Sequence, residues 1–395
     1  MGRRSARVAV VGAVSLLASA LSMGVVAPAT QAEEYRLPAT DFRPCSAPEQ
    51  YYCIESVLIE MDGFPAQQGV WVPSGQPIPG SSPEDPTVPV ITPGLQPTSP
   101  TITYPGRWSV AGFPVDYIGY DGIYVQVGPA STASDFAWLR MQPASARADG
   151  TVGRAVAAEG SYTPRDLDPA MKLTAVIRFG PLEPTANVMV ADGSIGRSGE
   201  AGANIVTFAG YPTKVPRAAS SNDCNGESGK AADLVSQMYA FVVFGNTRQS
   251  FGYDGMSGDL SVSTNGTCLI TTPVYDPTTG EFTFTASAPH YAPDGVQVNR
   301  GFYIASIPMA DAALLFGITN PKQVKAALEI SMENENGEDV PVQYSVAARK
   351  GVISVSLLNF QFSKPTITVK VKEKLWKKKY KKAAEKNRKK AAGKS

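Results

Sequence analysis

Val352-Ile353-Ser354-Val355-Ser356-Leu357-Leu358-Asn359-Phe360-Gln361-Phe362 decides the fold class of this chain. Apolar residues stand at 353, 355 and 357, then at 358, 360 and 362. A period of two is that of a strand with one buried face, and a single phase slip is what a β-bulge produces. Residues 340–346 form a second strand, joined to the first through Arg349-Lys350-Gly351. Beyond it, Ser363-Lys364-Pro365 turns the chain into Ile367, Val369 and Val371, which alternate with Thr and Lys as in a one-faced strand. The end of the chain is therefore an antiparallel meander, and Asn336-Gly337 supplies a hairpin signal, because both residues tolerate positive φ.

Working outward, the same grammar recurs. Residues 271–274 and 281–285 flank Asp276-Pro277-Thr278-Thr279-Gly280, a turn with Pro early and Gly late. Residues 239–244 are a continuous apolar run. Short β-like runs at 54–60, 123–127, 172–178, 187–190 and 204–208 are separated by Gly, Pro and Asp. That spacing suits an antiparallel sandwich or barrel and leaves no room for helices between strands. Two short helices are expected, one over 309–316 stopped by Gly317. The other starts with Asn320 as N-cap and Pro321 at the first helical position. The fold class is mainly β: antiparallel sandwich-like domains, a few short helices, an N-terminal signal helix and a basic C-terminal tail.

Four segments are expected. Residues 1–32 read as a secretory signal. Arg3, Arg4 and Arg7 precede an uncharged run from Val8 to Ala29, and Thr30-Gln31-Ala32 offers a cleavage exit. Residues 33–219 form an N-terminal β domain whose Pro-rich loop, 73–105, carries ten prolines in 33 residues and so cannot be sheet interior or helix. The polar, Gly-rich stretch 220–229 marks a boundary, and 220–372 form a C-terminal sandwich-like domain. Residues 373–395 are the tail. No second long apolar run follows the signal, so no transmembrane segment is expected after cleavage.

Cysteine usage agrees with export. Cys45, Cys53, Cys224 and Cys268 all lie beyond the signal, and an even count in an oxidising compartment reads as disulfides. Of the three possible pairings, the local one is favoured: Cys45–Cys53 with Cys224–Cys268. No C-x-x-C pair exists and His290 is the only histidine, so metal sites are not expected.

Catalytic motifs are thin. No G-x-S-x-G elbow accompanies His290, which lies in a loop after a strand. Gly226-Glu227-Ser228-Gly229-Lys230 misses the phosphate-loop spacing, and Ala231 stands where a hydroxyl residue belongs. Glu333-Asn334-Glu335-Asn336-Gly337-Glu338-Asp339 alternates oxygen donors as a calcium loop does, but a hairpin already accounts for it. No cofactor is expected.

Two constellations point to binding. Tyr104, Trp108, Tyr117 and Tyr120 belong to a dense aromatic cluster interrupted by Pro and Gly. Exposed rings on loops make stacking platforms for sugars or partner proteins, but rings also fill sandwich cores, and the core is the preferred reading. The second is charge. From Lys370 to Ser395 thirteen Lys/Arg face two Glu, a net +11, whereas 33–369 carry 20 basic and 33 acidic residues, a net −13. If the tail is a helix, Trp376 and Tyr380 share one face, flanked by Lys377, Lys378, Lys379, Lys381 and Lys382. Cations beside an aromatic face suit an anionic lipid surface or an acidic cell-wall polymer, and a disordered solubilising tail is the alternative; nucleic acid is not expected.

Cys53-Ile54-Glu55-Ser56-Val57, the stretch from Tyr291-Ala292-Pro293-Asp294-Gly295 to Arg300-Gly301-Phe302-Tyr303, and Phe362-Ser363-Lys364-Pro365 resemble exported proteins of high-GC Gram-positive bacteria. The resemblance implies a compartment and no activity. The expectation is a secreted or envelope-associated, non-enzymatic binding or structural protein held by its basic tail. The alternative is a secreted glycan hydrolase using a carboxylate pair.

Overall fold

The computed structural model describes residues 41–74, 103–113, 118, 120–130 less its last residue, 136–146, 152–154, 166–200, 202–216, 234–244, 255–266, 273–292, 294–334, 336–362 and 364–393. The signal at 1–32, most of the Pro-rich loop, the boundary stretch 220–229, Cys224, Cys268 and Tyr117 lie outside these residues.

The chain is mainly β, with three sheets and a few short helices. A large sheet runs in the order 344–349, 352–361, 300–308, 261–264, 184–190, 234–244, 136–146, 122–129, 106–109 and 70–73, with smaller strands attached to its side. A second sheet, 43–44, 53–61, 171–180, 204–211 and 192–198, covers one part of it, and a third, 274–276, 281–285, 366–371 and 328–333, belongs to another. Among the described residues two ladders are parallel, Arg43–Pro44 with Cys53–Ile54 and Asn187–Met189 with Ser261–Ser263, so the large and second sheets are mixed while the third is antiparallel.

Strand alternation explains how one sheet serves two cores. Along Leu234–Phe244, Met238, Ala240, Val242 and Phe244 enter a core with Ile54, Val57, Leu173 and Ile177 of the second sheet. Val243 instead joins a second core with Phe282, Ile367, Val369, Ile353 and Val355. Along Pro184–Val190, Met189 belongs to the first core and Val188 to the second. Successive strand residues point to opposite faces, so the two cores lie on opposite faces of the strands they share. The division expected at residue 220 thus does not divide the sheet: 184–190, from before it, pairs with 234–244 and 261–264, from after it.

The meander largely follows the sequence pattern. Opposite Val352–Gln361, the register with Arg300–Pro308 shifts between Gly301 and Phe302, skipping Asn359, which takes φ +64. The bulge falls one residue later than the apolar pattern suggests, leaving Leu358 exposed while Leu357, Phe360 and Phe362 are buried. The strand expected over 340–346 begins later, at Tyr344–Arg349; Asp339 and Val340 instead pair back on Glu333 and Met332. The turn at Asp276 forms as expected: its side chain accepts from the Thr278 amide, and Gly280 takes φ +76. Asn320 caps the turn opened by Pro321, accepting from the Lys322 amide at 2.9 Å.

Cys45 and Cys53 are joined by a disulfide across a short loop. Among the described residues, no helix is long and apolar enough to cross a membrane.

Candidate functional site

Of the four rings weighed as a binding face or as core, Tyr104, Trp108 and Tyr120 lie among the described residues, and all three are interior. Tyr104 stacks on Tyr124 with centroids 4.3 Å apart and donates to Gln142 Oε1 at 2.9 Å. Trp108 is buried against Trp71 in an edge contact. Tyr120 is 1% exposed, and its hydroxyl accepts from the Asp168 amide at 3.0 Å; burial pushes its phenol well above the ordinary tyrosine range. Rings separated by Gly and Pro resemble loop rings, but Tyr104 and Trp108 lie on strands, which turn them inward. The Tyr104–Tyr124 pair covers a polar network in which Tyr124 and Gln126 both donate to Asp41. Burial outweighs those hydrogen bonds and raises the Asp41 carboxyl above its ordinary value.

The tail is ordered and docked. Glu373–Leu375 opens a helix, Trp376–Tyr380 makes one π-turn, and Lys381–Ala392 continues as α-helix. A plain α-helix drifts by about 40° for every four residues, and the wider π-turn takes up that drift. Trp376, Tyr380 and Ala384 therefore stay on one line, and all three enter the second core, 3%, 5% and 0% exposed. Trp376 donates its indole N–H to the Thr278 carbonyl at 3.1 Å and lies flat against Gly280, where a Cβ would come within 2.7 Å of the ring. Tyr380 donates to Gln323 Oε1. The expectation that Trp376 and Tyr380 are free to meet a membrane is corrected: the body already covers them.

The polar residues of this inner face serve a neighbour. The helix Met309–Leu315 ends with carbonyls that have no partner within the helix, the general condition of a C-terminus. Asn387 donates to the Ala313 carbonyl and Arg388 to that of Leu314, both at 2.8 Å, and the Tyr275 hydroxyl donates to that of Leu315. Ala312 is taken by the amides of Phe316 and Ile318. A cation at that end also meets the negative pole of the helix.

The outer face is lysine. Lys372, Lys374, Lys377, Lys378, Lys379, Lys382, Lys386, Lys389 and Lys390 are exposed, and Lys381 is half-buried. Of these, Lys377 alone has an ion pair among the described residues, with Glu373, and Lys379 lies over the Tyr380 ring at 4.9 Å. Lys374, Lys378, Lys382, Lys386 and Lys390 follow one another at intervals of four. They stand two residues away from Trp376, Tyr380, Ala384 and Arg388, about 200° around the helix. Cationic and core-facing stripes are thus back to back, and this offset of two was legible in the sequence.

The remaining sequence candidates find structural employment. His290 Nδ1 meets the Phe362 carbonyl at 2.6 Å, linking the loop to the meander. The carboxylates with the most unusual surroundings are Asp311 and Asp259. Ser257 donates its amide and its hydroxyl to Asp311, both at 2.7 Å, and that hydroxyl accepts from the Asp259 amide. Arg197 reaches the same loop, its amide donating to Asp259 at 2.6 Å. Burial drives Asp311 up to about 6, and the nearby Asp259 adds to the rise. Asp311 is wholly buried and Asp259 half-buried, and the pair ties the 255–260 loop to the 309–315 helix. Among the described residues no group of three or more His, Cys, Asp or Glu is placed to hold a metal ion.

Comparison with known proteins yields no matching family model, no matching curated protein and no matching solved structure.

Proposed function

We propose that this chain is an exported, non-enzymatic binding protein of the cell envelope, which engages anionic partners through the lysine face of its C-terminal helix. The observation that carries this reading is the outer face itself: nine exposed lysines between 372 and 390, one of them ion-paired. Like charges crowded on one helix destabilise it at i,i+4 spacing. A chain that maintains such crowding on a docked, ordered helix loses stability unless a partner offsets the repulsion. Solubility needs far fewer cations on a body that already carries net negative charge. Export is supported by the signal-like start and by the Cys45–Cys53 disulfide, a bond typical of oxidising compartments.

Fractionating the native host into medium, wall and membrane tests the reading. The wild-type protein is expected in an envelope fraction, and the chain carrying Lys→Gln at 374, 378, 382, 386 and 390 in the medium. Identical distributions of the two would refute it.

A further inference from the structure

The anionic partner could be a lipid surface or a polymer, and the docking of the helix separates the two. A helix that lies on a membrane buries an apolar face at the acyl boundary and presents cations beside it. Here the apolar face is committed to the body: Trp376, Tyr380 and Ala384 are buried in the second core, and Asn387 and Arg388 hold the carbonyls of Ala313 and Leu314. Releasing that face for lipid would uncover this part of the core and orphan those carbonyls. What remains outside, from 372 to 393, is Lys, Glu, Ala and Gly, with no large apolar side chain among the exposed residues. Such a surface can attract charge but has nothing to insert.

The arrangement of the cations is linear. Lys374, Lys378, Lys382, Lys386 and Lys390 rise about 6 Å from one to the next, so five ammonium groups span about 24 Å along one side. Lys377 and Lys389 flank this row. A compact anion could engage one or two of these groups. An extended chain bearing repeated negative charge engages the row together without needing an apolar face, and the lysine ammonium, a compact charge on a flexible stem, tolerates any repeat geometry.

We infer that the partner is a linear polyanion, a polymer with repeated phosphate or carboxylate groups such as an acidic wall polymer, bound along the 374–390 lysine row while the helix stays docked. This inference rests on the proposed anion-binding role and narrows it.

The full mature chain would be titrated with linear inorganic polyphosphate, with poly-glutamate, with inorganic phosphate, and with vesicles rich in phosphatidylglycerol, at matched anion concentration. Hydrogen exchange would be followed over 309–318 and 376–392. The expected result is at least tenfold tighter binding per anion to one or both polymers than to vesicles or free phosphate, with protection of both segments unchanged. The five-lysine Gln variant should bind the preferred polymer at least tenfold more weakly while keeping that protection. A polymer preference below tenfold, or loss of protection over 376–392 on binding, would overturn the linear-polyanion inference and leave anion binding standing. Failure to bind any of the probes at low salt would overturn both.

Discussion

Replacing Trp376 by Ala tests whether the C-terminal helix is part of the fold. The indole is 3% exposed, packs on Gly280 and donates to the Thr278 carbonyl. Truncating a buried tryptophan to alanine costs about 3–5 kcal/mol, because lost burial and the residual cavity add. For a chain of this length each kcal/mol lowers Tm by about 2 °C, near the lower end of the range for large domains. A fall of about 6–10 °C is therefore expected in thermal unfolding followed by near-ultraviolet circular dichroism. Lys378→Gln, on the opposite side of the same helix, should leave Tm within about 1 °C, since exposed charges contribute little. The pair of variants separates docking from helix charge. A Trp376→Ala protein that melts with the wild type would refute the docked helix, and with it the separation of inner and outer faces.

Other outcomes follow from particular contacts. Gly280→Ala places a methyl group 2.7 Å from the Trp376 ring at φ +76, and should destabilise by about 1–3 kcal/mol; a Trp376→Ala background should relieve part of that cost. Asp311 is raised to about 6 from 3.8, so the folded state binds its proton more tightly than the unfolded one. The stability it contributes is present below pH 4 and is lost as pH rises towards 6, about 3 kcal/mol in all. Asp311→Asn should flatten the Tm–pH curve between 4 and 6, and curves that stay parallel would contradict this. Removing the Cys45–Cys53 bridge with Cys45→Ser and Cys53→Ser should cost about 2.5 kcal/mol for its nine-residue loop in denaturant unfolding. His290→Gln removes one hydrogen bond to Phe362 and should cost about 1 kcal/mol, with envelope retention unchanged.

What the sequence disclosed, and what it hid, divides by range. The bulge near Leu358, the Asp276–Gly280 turn and the Asn320 cap are local events, written in period-two spacing, turn residues and cap chemistry. Pairing of Asn187–Met189 with Ser261–Ser263 joins segments more than seventy residues apart. No local pattern specifies that partner, so the sequence hides the shared sheet and the boundary expected at 220 falls within it. The site divides the same way. Trp376 and Tyr380 share one helix face in sequence and structure alike, because periodicity reports that a face is apolar. It does not report what covers that face, and the cover is the body's own core. Tyr104, Trp108 and Tyr120 admit two readings for a related reason: Pro and Gly between rings suit a loop platform, while ring content suits a core, and the structure takes the core.

The most direct test of anion binding by the docked helix is the salt dependence of binding by the full mature chain. Wild type and the five-lysine Gln variant would be titrated with linear polyphosphate across a salt series. Engaging five lysines with a single-stranded polyanion predicts a slope of log K against log salt of about −3.5, taking the value of about −0.7 per contact known for single-stranded nucleic acids. The variant, which keeps Lys372, Lys377, Lys379 and Lys389, should show a clearly shallower slope. A wild-type slope near zero, or equal slopes for the two proteins, would contradict the account.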